Sequence, residues 1–249
     1  MSYLFKTTLI GLFFGTFGTT LGGIIGVVIK KNSNKFLSFV LSLASGLMMA
    51  VICFDLIPEA SKISNLSGVL TSVLVGIAAM IFCDVLVDRK FNTKYNVTNK
   101  TQKMSLLKTG IVISIGLAIH NFPEGLAIGS GFESSFKLGL SLAIAIAIHD
   151  IPEGISMAVP MKNGGMRIHQ IILYVFLSGV TTGIGAFVGA IIGSISETVI
   201  AVCLSFAAGA MLYIVSGELI PESNKLYSGH MSAVGNMIGF LIGIIATSL

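Results

Sequence analysis

The chain has 249 residues, of which 54% are hydrophobic and only 10% charged, with a mean hydropathy of +0.94 and a formal net charge of +4. Soluble domains carry about a quarter charged residues, so this composition excludes an ordinary soluble enzyme and gives the small positive charge no nucleic-acid meaning. Three cysteines (Cys53, Cys83 and Cys203), odd in number and inside apolar runs, exclude a disulfide framework and a cysteine zinc site.

Taken in chain order, apolar windows fall at 7–29, 36–58, 66–87, 107–130, 135–160, 168–193, 197–221 and 231–248. Each is long enough to cross a hydrocarbon core of about 30 Å as a helix. The expected fold is an all-α membrane protein, with eight transmembrane helices in a single domain over 1–249. The first window has no A-x-A cleavage pattern and reads as a retained helix rather than a signal peptide. The long polar connection, 88–106, carries five Lys or Arg and no His or Cys, and reads as a flexible cytoplasmic loop. Twelve of the fifteen Lys and Arg fall in the connections between windows 1–2, 3–4, 5–6 and 7–8. The positive-inside rule then sets these connections in the cytoplasm and both termini outside.

The second and seventh windows repeat one another. LSLASGLMMAVICFDLIPEAS (41–61) aligns without gaps on LSFAAGAMLYIVSGELIPESN (204–224), with nine of twenty-one positions identical. Two helices separated by five turns of the chain run in opposite directions. HNFPEG (120–125) and HDIPEG (149–154) lie on adjacent helices four and five, also antiparallel. Both pairs fit one inverted repeat, with helices 1–3 related to 6–8 and helix 4 to helix 5, a common plan for secondary transporters.

Four of the five prolines precede a glutamate. A proline inside a helix removes one backbone hydrogen bond and crowds the carbonyl four residues back. In lipid a carbonyl so freed needs protein or water around it. The acids sharpen the point. A carboxylate at mid-membrane costs about 3 kcal/mol on insertion scales, so Glu124, Asp150 and Glu153 together approach about 9 kcal/mol unless neutralised. No Lys or Arg lies near them in sequence, which leaves a bound cation or protonation. His120, Asn121 and Glu124 stand at i, i+1 and i+4, and His149, Asp150 and Glu153 repeat that spacing. Residues so spaced share one helix face or lie beside it. Two such helices facing each other offer imidazole, carboxylate and amide donors. That mixture suits zinc, iron(II), manganese or a similar ion.

Asp55 and Glu59 fall toward the outer end of helix two, and Glu218 and Glu222 toward the cytoplasmic end of helix seven. They read as acidic vestibules that draw cations along a transport pathway. His169 and His230 sit at helix starts near loops and read as solvated residues. Met48 and Met49 read as core filler. Gly11, Gly15, Gly22 and Gly26 stand at spacings that let helices approach closely.

At HNFPEG and HDIPEGIS the chain resembles the ZIP (Zrt/Irt-like) family of divalent metal transporters, in its bacterial form. The likeness extends to the (D/E)LIPE helices and the eight-helix plan. The resemblance implies that His120, Asn121, Glu124, His149, Asp150 and Glu153 hold metal, that Glu124 and Glu153 bridge two ions, and that Met48 joins one site. It also marks a departure. Where similar members carry a glutamate in an S-G-x-x-E stretch of helix six, this chain has Thr182, which weakens a second metal position.

The expected function is therefore entry of a divalent ion, zinc first and then iron, manganese or cadmium, by alternating access across the cell membrane. The metal is substrate rather than cofactor, the partners are the metal ions and the lipid bilayer, and a homodimer is left open. Two rival readings are an intramembrane metalloenzyme and a proton-coupled transporter of an organic solute. The first is disfavoured because HxxPE replaces the HExxH that supplies two ligands and a general base. The second predicts proton flux without metal dependence.

Overall fold

The computed structural model describes residues 3–29, 34–93, 102–227 and 229–248. Within them the chain forms eight long helices and no strand. They are α1 (Tyr3–Val28), α2 (Asn34–Ile63), α3 (Leu66–Thr93), α4 (Gln102–Ser134), α5 (Phe136–Asn163), α6 (Ile168–Gly193), α7 (Glu197–Leu226) and α8 (Met231–Ser248). Seven are long and apolar enough to cross a membrane, and α8 is a shorter apolar helix. Helix extends into both ends of the segment read as a loop, since α3 runs on to Thr93 and α4 starts at Gln102. Apolar windows report contact with lipid, whereas the hydrogen-bond ladder continues through DRKFNT, whose Lys and Arg are good helix formers. Residues 94–101 lie outside the described residues.

Tight turns fix the order of neighbours. Ser135 alone separates α4 from α5, and its Oγ accepts the Leu138 amide at 3.1 Å to cap the new helix. This turn sets the HNFPEG and HDIPEG helices side by side and antiparallel. At its other end α5 stops at Gly164-Gly165, where Gly165 takes φ +88°, and the Met166 amide reaches back to the Met161 carbonyl at 3.0 Å. Only glycine enters that region without strain.

The inverted repeat extends well beyond the segments whose residues match. The single shift that sets Leu41 on Leu204 also sets α1 on α6 and α3 on α8 without a gap. The contacts obey it. A Cβ on Gly22 of α1 would collide with the Ile151 carbonyl of α5, and one on Gly154 of α5 with the Thr19 carbonyl of α1. Their repeat partners meet in the same way, Gly185 of α6 against the Phe122 carbonyl and Gly125 of α4 against the Thr182 carbonyl. The glycines at these crossings bring backbone against backbone, the packing that lipid-embedded helices favour. Helices α1, α4, α5 and α6 thereby form one close-packed group. Helix α2 packs along α8 and α3 along α7, and α2 and α7 cross beside the first group.

Helices α2 and α7 share a further feature at matched positions. Each contains a π-helical turn, Ile52–Leu56 in α2 and Val215–Leu219 in α7. The Ile57 amide skips a residue to reach the Ile52 carbonyl, as does Ile220 to Val215. Proline follows immediately in both, as Pro58 and Pro221. Its ring crowds the carbonyl four residues back, and one extra residue in the turn relieves that clash. Asp55 and Glu218 lie within these π turns. By contrast α4 and α5 continue as α-helix through Pro123 and Pro152.

Burial follows from this arrangement. In α5, 78% of the apolar window is buried inside the protein, against 22% in α3. Helix α5 is thus the centre of the molecule, and α3 presents most of its surface outward.

Candidate functional site

Glu124 and Glu153 each lie about 15 Å before the end of their helix at 1.5 Å per residue, near the middle of the bundle. His120, Asn121 and Glu124 on α4, and His149, Asp150 and Glu153 on α5, are all 1% exposed or less. The i and i+4 spacing turns both triads to the α4–α5 interface. His149 Nε2 lies 2.9 Å from Glu124 Oε1 and 3.6 Å from Asp150 Oδ1. One donor atom from each of Glu124, His149 and Glu153 lies within 4.8 Å of the others. His120 has Glu124 and His149 as its electrostatic neighbours.

The group is deeply buried and starved of partners. Both nitrogens of His120, both oxygens of Asp150 and of Glu153, Glu124 Oε2, His149 Nδ1 and Asn121 Oδ1 make no hydrogen bond. Among the described residues no Lys or Arg forms an ion pair with them. Buried polar groups in folded proteins are almost always paired, and an unpaired buried charge is far more costly than an unpaired amide. Three acids and two imidazoles left in this condition at one place form a donor set whose oxygens and nitrogens can compensate a cation.

Asn121 stands apart from the triad. Its Nδ2 donates to the Ser178 carbonyl of α6 at 3.0 Å, which fixes the amide and leaves Oδ1 as the free acceptor. Thr182, one turn further along α6, is fully buried with its hydroxyl unpartnered and its side chain against Gly15 of α1. Met48 is fully buried in the main apolar core, which also holds Ala143 and Ile146 of α5. His169 and His230 are exposed and take no part in the cluster.

The acids of α2 and α7 lie in unequal surroundings. A cavity of about 440 Å³ opens at the end of the molecule where α4 begins and α3, α5 and α7 end. Glu218 and Glu222 line it, and Glu222 also faces Lys225 at 3.5 Å. Ile119 and Ser156, which adjoin the two motifs on α4 and α5, also line it, so the cavity reaches toward the central cluster. Asp84 of α3 also lines the cavity and accepts a hydrogen bond from Tyr213 at 2.6 Å. The sequence reading missed Asp84. It is a lone acid near the end of an apolar window, with no motif around it, and its isolation in IFCDVLV was the only signal available. At the opposite end Asp55 is buried, with Oδ2 unpartnered. Glu59 is held by Ser134 at 2.6 Å and by Lys62 at 2.9 Å.

Comparison with known proteins places the chain in a family. The family model described as ZIP zinc transporter matches residues 84–249. A protein named zinc transporter ZupT from Akkermansia muciniphila is 31% identical, over 95% of this chain and 93% of its own length. One of the same name from Oceanobacillus iheyensis is 32% identical, over 100% of this chain and 98% of its own. Zinc transporter ZIP11 of Xenopus tropicalis is 34% identical over a shorter stretch, 53% of this chain and 41% of its own.

Proposed function

We propose that this chain, which belongs to the ZIP zinc transporter family, carries a divalent transition-metal ion, zinc foremost, into the cytoplasm across the cell membrane. The observation that carries this reading is the cluster of unpartnered donors on α4 and α5, with Glu124, His149 and Glu153 within 4.8 Å of one another.

An ion held at 2.0–2.2 Å from each ligand sets neighbouring donors about 3.4 Å apart. The hydrogen bond from His149 to Glu124 would be exchanged for two metal bonds, with shifts well under 1 Å at those two atoms. Asp150 and His120 complete the coordination, and Asn121 Oδ1 supplies a neutral oxygen. The sulfur of Met48 serves as a soft ligand approaching from α2. Carboxylates at mid-membrane are thereby neutralised by the cargo itself, so the site is stable only when it is loaded or protonated.

The cavity end carries most of the Lys and Arg and is the cytoplasmic one by the positive-inside rule. The path then runs from Asp55 and Glu59 on the outside, through the central cluster, to Glu218 and Glu222. A membrane potential draws a divalent ion inward by about 4.6 kcal/mol per 100 mV. In this reading access alternates between the two ends, which is supported by the burial of Asp55 at one end and the open cavity at the other.

The test is zinc entry into proteoliposomes loaded with a metal-reporting dye, comparing the native chain with Glu153→Ala. Entry by the native protein and its loss in the variant are expected. A native protein that is folded and moves none of zinc, iron(II), manganese or cadmium would overturn the reading.

A further inference from the structure

The repeat makes it possible to read the closed end of the molecule from the open one. Glu218, Glu222, Val112 and Asn163 line the open cavity. Under the shifts that superpose α7 on α2 and α5 on α4, their partners are Asp55, Glu59, Ser141 and Ser134. Further lining residues transform in the same way. Leu41, Leu117, Ser156 and Leu219 correspond to Leu204, Ile146, Ala127 and Leu56, and all four partners are 0% exposed. Several side chains that would line a cavity at the outer end are thus now packed into its seal.

Two observations mark that seal as a second, hidden vestibule. First, the Ser141 hydroxyl of α5 lies beside the Asp55 carboxylate of α2 within the seal, and Asp55 Oδ2 is buried without a hydrogen-bond partner. Polar groups left unpaired in a seal cost stability in the closed state and recover it when water enters. Second, the matched polar pair is joined on one side and not on the other. Ser134 Oγ donates to Glu59 at 2.6 Å, tying the end of α4 to the end of α2. The repeat partners, Asn163 and Glu222, both line the open cavity. Lys62 braces the joined carboxylate from the solvent side at 2.9 Å.

We propose that the Ser134–Glu59 hydrogen bond is the clasp of the outer gate, and that Ser141 and Ser134 line, with Asp55 and Glu59, an outward vestibule that forms when the clasp opens. The function of the vestibule, admission of the ion, rests on the transport reading; its existence does not. Breaking the clasp removes a hydrogen bond to a carboxylate from the closed state alone. A shift of about tenfold toward the outward-open form follows, given the strength of charged hydrogen bonds.

The experiment uses thiol labelling in sealed vesicles of known orientation. Cys53, Cys83 and Cys203 are first replaced by alanine. Two reporters related by the repeat are then introduced singly, Ser141→Cys for the outer vestibule and Val112→Cys for the inner cavity. Each is treated with a membrane-impermeant maleimide from its own side. Adding Ser134→Ala, or separately Glu59→Gln, should raise Ser141→Cys labelling about tenfold and lower Val112→Cys labelling. Ser134→Thr, which keeps the hydroxyl, should leave both near the starting rates and controls for damage to the fold. Unchanged labelling of Ser141→Cys in both clasp variants would overturn the proposal. So would a rise at both reporters together, which signals a loosened bundle. Labelling needs no metal, so a protein that gates in this way yet moves no zinc would refute the transport reading and leave the gate standing.

Discussion

Replacing Glu153 by glutamine should move stability in opposite directions with and without zinc. Glu153 is fully buried, and neither carboxylate oxygen has a partner. Glu124, with an oxygen within 4.8 Å of it, is of like sign. In the metal-free protein that charge is a cost. A central carboxylate costs about 3 kcal/mol on insertion scales, which is an upper bound on what Glu153→Gln recovers. Zinc reverses the balance. A ligand at 100 times its Kd stabilises the native state by about 2.7 kcal/mol. For a chain of this size that corresponds to a rise in Tm of roughly 5–10 °C. The assay is thermal unfolding of purified protein in detergent, once in chelator and once with zinc at 100 times the native Kd. Glu153→Gln should melt above the native chain in chelator and show little of the zinc-dependent rise. The opposite pattern, a variant that is destabilised in chelator and keeps the full zinc shift, would mean that Glu153 is a structural acid and that the ion binds elsewhere.

Gly125→Val drives side-chain atoms into the Thr182 carbonyl of α6, so it should prevent folding or lower yield sharply, whereas Gly116→Ala should be neutral because an added Cβ there meets nothing within 4 Å; expression followed by size-exclusion chromatography separates the two. Zinc uptake should weaken in acid, because protonation of His149 or His120 takes away the lone pair that a metal would use; a rate that climbs steadily as the pH of the outer solution falls below about 6 would count against this competition.

The elements were legible from hydropathy because a bilayer imposes a length on every span. The paired motifs were legible because acids in such spans are too costly to be incidental. What escaped the sequence did so for physical reasons. The repeat was visible in α2 and α7, where nine residues match, but α1 against α6 and α3 against α8 share little beyond glycines placed at the same crossings. Their likeness is one of backbone approach, which many apolar residues satisfy, so identity does not preserve it. The π turns were also hidden. Pro58, Pro123, Pro152 and Pro221 sit in similar P-E contexts, yet only the first and last follow a π turn. Whether a helix absorbs a proline clash by an extra residue or by a small bend depends on the helices packed against it, and those are tertiary facts. Asn121 gave no sign that its amide nitrogen belongs to Ser178, because that contact spans 57 positions.

The symmetry of the backbone is not matched by the chemistry on it, and the difference bears on how the two ends of the molecule are held. Where α2, α7 and α8 meet at the cavity end, Ser38, Ser223 and Ser232 share a chain of buried hydrogen bonds at 2.7–3.0 Å. Asn236 reaches Ser45 at 2.8 Å one turn deeper. The repeat partners of Ser38, Ser223, Ser232, Ser45 and Asn236 are Ala201, Ala60, Val69, Ala208 and Val73, so the opposite end carries buried apolar residues in the same places. Interhelical hydrogen bonds in membranes contribute about 0.6 kcal/mol each on average, so a network of four or five fixes geometry more than it adds stability. It holds α2, α7 and α8 together at the end where the cavity is open. At the opposite end the matched positions make apolar contacts, and the polar link between α4 and α2 is the hydrogen bond that Ser134 Oγ donates to Glu59 at 2.6 Å.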